Sequence, residues 1–400
     1  MMKELSMATL AVHAGERASV PDYTPITTPI HHAVTYLYED MHTLDAVFAG
    51  QRSGYVYSRF ANPTVTALEE AIARLEGTES AVACASGMAA VHLALLASGA
   101  TAGKTVLMAQ DLYGGTHSLL TQIFPAQGVH VHTVDMTDLS AVSKAIAETK
   151  PAVLFVETIS NPLLRVADIP TLAKLAHEGG ARLIVDNTFA TPCLYRPALH
   201  GADYVVYSAT KYLSGHGDAM GGLVAASAEQ SRAMREIRKL LGNVLGPNEA
   251  WLILRGLKTL VLRMRQHSQN ANLVAHFLQS HPRVSQVFYP SLPTHPQFTL
   301  SRRLFPCNLF GGMVSFKIKG ADQEKVFRFM NALRVIVPAT SLGDVYSLIL
   351  YPAHSSHRWL SDEEKQRQGI APDLVRLSVG IEEPADIIAD LTQALDALGE

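Results

Sequence analysis

The sequence predicts an α/β protein with a mostly parallel sheet covered by helices on both faces, followed by a smaller C-terminal α+β domain. Short apolar runs recur at Thr105–Ala109, Val129–Val134, Ala152–Val156, Arg182–Val185, Tyr204–Tyr207 and Leu223–Ala226. Several are β-branched and apolar on both faces, as buried parallel strands are. Helical stretches, among them Leu139–Glu148 and Ile169–Glu178, separate them, and that alternation is the signature of the class. At 400 residues the chain is also too long for one small module.

Taken in order, residues 1–60 carry turn signals at Pro21-Asp22, Thr24-Pro25 and Thr28-Pro29 with little periodicity, and are expected to form an extended arm. A large domain is expected over 61–255. It opens with a helix from Thr64 to Leu75, whose stripe is Val65, Leu68, Ile72 and Leu75. At Ala85-Ser86-Gly87-Met88 a strand gives way to a helix over Ala89–Ala97. One long helical pattern runs from Asn248 to Gln279 and links this domain to the smaller one, 256–400. There, strands are expected at Val284–Tyr289, Gly312–Lys317, Arg334–Val337 and Leu374–Val379, with helices near Gln323–Asn331 and Ala385–Ala397.

Charged residues are only 17% of the chain and hydrophobic ones 48%, enough for a large core with apolar surface left over for subunit contacts. Thirty-three basic against 36 acidic residues give a net charge of −3, without the basic stripe that nucleic-acid binding requires. Cys84, Cys193 and Cys307 are too scattered for a disulfide framework or a zinc quartet, so a cytoplasmic location is expected. No secretory h-region is visible at the start. The window Ser80–Gly103 lacks Asp, Glu, Lys and Arg, but Ser86, Gly87, His92, Ser98 and Gly99 interrupt it, so a buried helix fits better than a membrane span. The pairs His31-His32, His130-x-His132 and His354-x-x-His357 lack metal-site spacing, and no metal is expected.

In open α/β sheets, ligands sit beyond the carboxyl ends of the strands. Asp186-Asn187-Thr188 follows one such strand, Ser208-Ala209-Thr210-Lys211 another, and Glu157-Thr158 with Asn161-Pro162 a third. An aspartate and a lysine this close to apolar strands are costly to bury without partners. Pyridoxal 5′-phosphate matches them: it takes a lysine for its Schiff base, a carboxylate at the pyridinium nitrogen, and donors for its phosphate. Asp186 and Lys211 supply the first two. Ser208, Thr210 and the Ser86-Gly87-Met88 helix start supply donors. The stretch Gly215-x-Gly217-x-x-x-Gly221 has the wrong spacing for a dinucleotide fingerprint.

These residues belong to a longer ordered series: Tyr55-Val56-Tyr57-Ser58-Arg59, Asn62-Pro63-Thr64, Leu112-Tyr113-Gly114-Gly115-Thr116, Ser341-Leu342-Gly343-Asp344 and Val375-Arg376-Leu377-Ser378-Val379-Gly380. With them the sequence resembles, over nearly its whole length, the Cys/Met-metabolism family of pyridoxal-phosphate enzymes. That family includes methionine γ-lyase, cystathionine γ-lyase, cystathionine γ-synthase and O-acetylhomoserine sulfhydrylase. The resemblance implies the fold-type I architecture, with Lys211 as Schiff-base lysine and proton shuttle and Asp186 at the ring nitrogen. It implies that Tyr113 stacks on the ring and serves as the acid-base group at the departing sulfur. Ser86, Gly87, Met88, Ser208 and Thr210 would hold the phosphate. Tyr57 and Arg59 would reach it from a neighbouring subunit and border the substrate, in a homo-oligomer built as a dimer of dimers. Arg376 would grip the substrate carboxylate, with Asn161 and Ser341 nearby.

Two positions bear on the branch. Gly115 stands where methionine γ-lyases of the family carry cysteine. Thr340 stands where the cystathionine enzymes place glutamate, so the ion pair to a distal amino group is missing. Tyr346 and Tyr351 also depart from the family pattern. The expected reaction is γ-elimination on methionine, homocysteine or cystathionine, giving 2-oxobutanoate, ammonia and a thiol. The alternative is γ-replacement on an activated homoserine.

Overall fold

The computed structural model describes residues 5–15, 25–305, 308–358 and 360–399. Pro21-Asp22, Thr24 and Cys307 lie outside them.

The arm is not uniformly extended. It holds two short helices, α1 (Met7–His13) and α2 (Met41–Phe48), each started by a side chain that accepts an otherwise orphaned N–H. Ser6 caps the first through Thr9 N, and Asp40 the second through Thr43 N at 2.8 Å. With only seven and eight residues, neither shows a stripe long enough for periodicity to reveal it. Beyond them, α3 (Pro63–Glu76) starts at Asn62, whose side chain accepts from Thr64 N, and stops at Gly77 in the left-handed conformation. Its Leu68, Ile72 and Leu75 are fully buried.

Seven strands form the first sheet: β1 (Ser80–Cys84), β2 (Thr105–Ala109), β3 (His130–Val134), β4 (Val153–Glu157), β5 (Arg182–Asp186), β6 (Tyr204–Ser208) and β7 (Gly222–Ala226). Their order is β1-β7-β6-β5-β4-β2-β3. The run β3-β2-β4-β5-β6 is parallel, whereas β7 lies antiparallel to both of its neighbours. Helix α4 (Gly87–Ala97) crosses one face, its Leu93, Ala94 and Leu95 fully buried. The charge-free window Ser80–Gly103 is therefore β1 and α4, and no helix among the described residues is long and apolar enough to cross a membrane.

The long helical pattern after Pro247 is two helices, Pro247–Leu257 and Leu260–Ser280. Arg263 holds the break. Its guanidinium, almost wholly buried, donates to Gly256 O at 2.8 Å and Tyr212 O at 2.7 Å, and its Nε to Thr259 Oγ1 at 3.2 Å. A Cβ at Gly215 would come within 2.0 Å of Arg263 Nη1, and Gly215 has a φ of +73°. The glycine run after Lys211 thus lets a turn close over a buried arginine.

A second sheet follows, in the order β10-β11-β12-β9-β8. Its strands are β8 (Val284–Phe288), β9 (Met313–Ile318), β10 (Val337–Pro338), β11 (Leu348–Leu350) and β12 (Leu374–Ser378). The strand expected over Arg334–Val337 is reduced to Val337–Pro338. The carboxylate of Asp390, in the helix Pro384–Asp396, takes the backbone N–H groups of Arg334, Val335 and Ile336 at 2.8–2.9 Å. Those N–H groups are no longer available to a sheet partner.

The three donors pull the Asp390 carboxyl below its ordinary pKa despite its burial. With the folded value below the unfolded one, its contribution is full above the unfolded carboxylate pKa of about 3.9 and is lost as pH falls through the folded value. Asp390→Asn is therefore expected to lower stability by about 1–3 kcal/mol at neutral pH. In urea titrations the difference from the parent should narrow in strong acid.

Candidate active site

The carboxyl ends of β4, β5 and β6, the turn Leu112–Gly115 and the start of α4 enclose a cavity of about 630 Å³, closed on the far side by residues of the second sheet domain. Register sets its floor. Glu157 and Asp186 are paired residues at the ends of β4 and β5, so two carboxylates lie side by side. Asp186 Oδ1 accepts from Thr188 N at 2.9 Å. Thr188 Oγ1 accepts in turn from Ser208 N at 2.9 Å, tying the end of β6 to the aspartate. Burial raises the Asp186 pKa above the usual carboxylate value. It lifts Glu157 further still, because Asp186 adds its charge.

Lys211 sits in the turn after β6. Burial lowers the pKa of its amine and the Arg376 guanidinium lowers it further, against a smaller opposing effect of Asp344. Its Nζ donates to Ser341 Oγ at 3.3 Å. Arg376, in the middle of β12 and almost fully buried, donates from Nη1 to Asn161 Oδ1 at 2.9 Å and from Nη2 to Ser341 O at 3.4 Å. Its Nε has no hydrogen-bond partner among the described residues. A substrate carboxylate would satisfy such a donor.

At the opposite end, Ser86 caps α4, its hydroxyl accepting from Ala89 N at 3.1 Å. The first N–H groups of a helix have no intrahelical acceptor, so Gly87 and Met88 offer donors to the cavity. A Cβ at Gly87 would stand 2.7 Å from Ser208 Cβ, which makes this cradle specific to glycine. Thr210 Oγ1 accepts from Gly221 N at 3.1 Å and lines the same wall. A lysine amine, a buried carboxylate and an anion cradle at a helix start therefore face one cavity, and the set fits pyridoxal phosphate in its three demands: aldehyde, ring nitrogen and phosphate.

Of the expected residues, Ser86, Gly87, Met88, Tyr113, Asn161, Asp186, Ser208, Thr210, Lys211, Thr340 and Arg376 line the cavity. Ser341 joins them through its contacts with Lys211 and Arg376. Tyr57 and Arg59 are not brought to the cavity of their own chain. Arg59 instead donates to Lys239 O and lies over the Tyr57 and Phe60 rings at 5.6 and 5.0 Å. Sequence reasoning passed over Glu157, Thr188, Met220 and Leu350 as site residues, although all four line the cavity. The first two stand at or just beyond strand ends already read as ligand-facing, and that was the available signal.

A profile of the family described as Cys/Met metabolism PLP-dependent enzyme matches residues 8–396. An O-succinylhomoserine sulfhydrylase of Pseudomonas aeruginosa is 42% identical over 390 residues, covering 98% of this chain and 95% of that protein. An L-methionine γ-lyase of Fusobacterium nucleatum is 40% identical, covering 99% and 100%. Among solved structures, a chain from Campylobacter jejuni assigned as an O-acetylhomoserine (thiol)-lyase superposes with a TM-score of 0.91 at 34% identity, covering 98% of this chain and all of that one. It carries N′-pyridoxyl-lysine-5′-monophosphate. The fold is thus that of the pyridoxal-phosphate enzymes with a mostly parallel large-domain sheet. Within it, this chain belongs to the Cys/Met-metabolism family, and it is pyridoxal-phosphate dependent.

Gly87→Ala places a methyl group where Ser208 already stands. Overpacking of about 1–3 kcal/mol should weaken cofactor affinity roughly tenfold or more, read by titrating the apoprotein with pyridoxal phosphate in the visible.

Proposed function

We propose that the chain catalyses γ-elimination on a sulfur amino acid, with methionine or homocysteine preferred to cystathionine, releasing 2-oxobutanoate, ammonia and a thiol. One observation carries this choice. Among the described residues, the charged side chains lining the cavity are Glu157, Asp186, Lys211 and Arg376, each with a role in the site. The rest of the wall, including Met220, Thr340, Leu342 and Leu350, is uncharged, and a distal ammonium or carboxylate buried against it would lack a partner. A short neutral γ substituent suits it.

When bound, the cofactor supplies an electron sink for charge developing on the substrate carbon. The protein's part is to bind, orient and move protons. Arg376 takes the substrate carboxylate, its guanidinium held in plane by Asn161 and Ser341. Asp186 keeps the ring nitrogen protonated. Lys211, with a pKa brought down by burial, takes the proton from Cα, as a general base needs a pKa near the working pH. Tyr113 lines the cavity and is about half exposed, and it hands a proton to the departing sulfur. Ser86, Gly87, Met88, Ser208 and Thr210 hold the phosphate.

A second copy of the chain would complete the site with Tyr57 and Arg59. The arm's large exposed apolar side chains, Ile26, Leu37 and Met41, support such a contact. We place the protein as a homo-oligomer, a dimer of dimers, in the cytoplasm. The Pseudomonas aeruginosa relative's name, a sulfhydrylase, favours a second reading, γ-replacement on an acylated homoserine.

Lys211→Ala should lose the visible absorbance of the lysine-bound cofactor. A protein that never shows that band when supplied with cofactor overturns the reading. A panel of methionine, homocysteine, cystathionine, cysteine and O-acetyl- or O-succinyl-homoserine with a thiol, assayed for 2-oxobutanoate, pyruvate and thioethers, separates the reactions. Thioether formation with little 2-oxobutanoate favours replacement, and pyruvate alone sinks γ-elimination.

Thr340→Glu adds the missing distal charge. It should shift the ratio of kcat/KM towards cystathionine by roughly five- to a hundredfold, the equivalent of about 1–3 kcal/mol. An unchanged ratio removes Thr340 from substrate choice.

A further inference from the structure

Glu157 is a buried carboxylate with no ion-pair partner among the described residues, and it stands beside another carboxylate, Asp186. Asp111 adds to the cost and the Arg376 guanidinium feels the same field. Such a placement is expensive, so the geometry it secures matters. Its two oxygens serve two different turns. Oε1 accepts from the N–H of Tyr113 at 2.6 Å, and Oε2 from the N–H of Asn161 at 3.2 Å. The first turn carries the aromatic ring that faces the cavity. The second carries the side chain that fixes Arg376 at 2.9 Å. A glutamine would be cheaper to bury beside Asp186, yet its carboxamide has one acceptor oxygen and points N–H donors at whichever backbone N–H remains.

We propose that Glu157 is a positioning residue that sets Tyr113 and the Asn161–Arg376 pair in register with each other, so that the group at the leaving sulfur and the group at the substrate carboxylate are held by one carboxylate. This rests on the reading of Tyr113, Asn161 and Arg376 as substrate- and ring-facing groups. Glu157 reaches the cavity wall, but both of its oxygens are committed to backbone N–H groups, so its assigned part is positioning and not proton transfer.

The test is Glu157→Gln in the holoenzyme, with Asn161→Ala and the double variant beside it. Glu157→Gln should keep the bound cofactor and its visible absorbance. The visible circular dichroism of the bound cofactor should change as Tyr113 shifts. KM for methionine should rise on the order of tenfold, the loss of about one charge-assisted hydrogen bond, and norleucine, which has the same length but no leaving group, should bind correspondingly more weakly. The penalty on KM should be absent when Asn161 is already alanine, because coupled residues do not add.

A Glu157→Gln enzyme with parental KM, norleucine affinity and dichroism overturns the proposal, and so do penalties that multiply in the double variant. If the glutamine variant does not fold, Glu157→Asp decides: it keeps the charge, is one methylene short, and should show the same pattern more weakly. Failure of both to fold assigns Glu157 to folding and overturns the proposal. Failure of the underlying reading is seen separately, as an absent cofactor band in the parent.

Discussion

The site depends on two carboxylates being forced together at the ends of neighbouring parallel strands. In-register pairing of β4 with β5 holds Glu157 and Asp186 side by side, and the apolar strands behind them offer neither a polar partner. Each then needs a compensating partner. Glu157 finds two backbone N–H groups. Asp186 finds one, from Thr188, and its remaining capacity faces the cavity. A cationic ring nitrogen is a ligand group that such a cavity-facing carboxylate suits. The cofactor preference of this fold can thus be read as electrostatics imposed by sheet register.

Lys211 answers to a different constraint. Its turn is packed from beneath by Arg263, whose donors reach Tyr212 O and Gly256 O, and the glycines at 215 and 256 are needed because side chains there would collide with that arginine or with the Ser214 carbonyl. The amine is largely deprived of solvent, and that burial, with the Arg376 guanidinium, makes it easier to deprotonate.

Much of this was legible in the sequence. All six of the apolar runs first read as strands are strands of the first sheet; the parallel β2, β4, β5 and β6 at its centre are largely buried and apolar on both faces, whereas β3 is an exposed edge and β7 runs antiparallel. The motif residues mostly meet in one cavity, because strand ends in such a sheet share one rim. The arm was less legible: seven- and eight-residue helices started by Ser6 and Asp40 carry their signal in a cap and not in a stripe. The segment Arg334–Ile336 has strand composition, yet Asp390, more than fifty residues later, takes its donors. No local pattern encodes a contact that distant. Glu157 was quoted only as part of a motif, since a carboxylate that acts through backbone N–H groups has no partner side chain to reveal it.

In the proposed reaction, substrate choice would rest on the uncharged side chains of the cavity wall, among them Met220, Thr340, Leu342 and Leu350. Thr340 is exposed while Leu350 is almost fully buried, so the uncharged lining combines a buried apolar side chain with a weakly polar exposed one. A thioether loses little on entering it, since it has few hydrogen bonds to surrender, whereas a charged distal group must leave water without recompense. In their proposed role the partner-derived Tyr57 and Arg59 would stand at the phosphate end and add cationic charge where the cofactor is anionic. In the proposed reaction, charge would thus be concentrated at the cofactor and at the substrate carboxylate, and withheld from the leaving group.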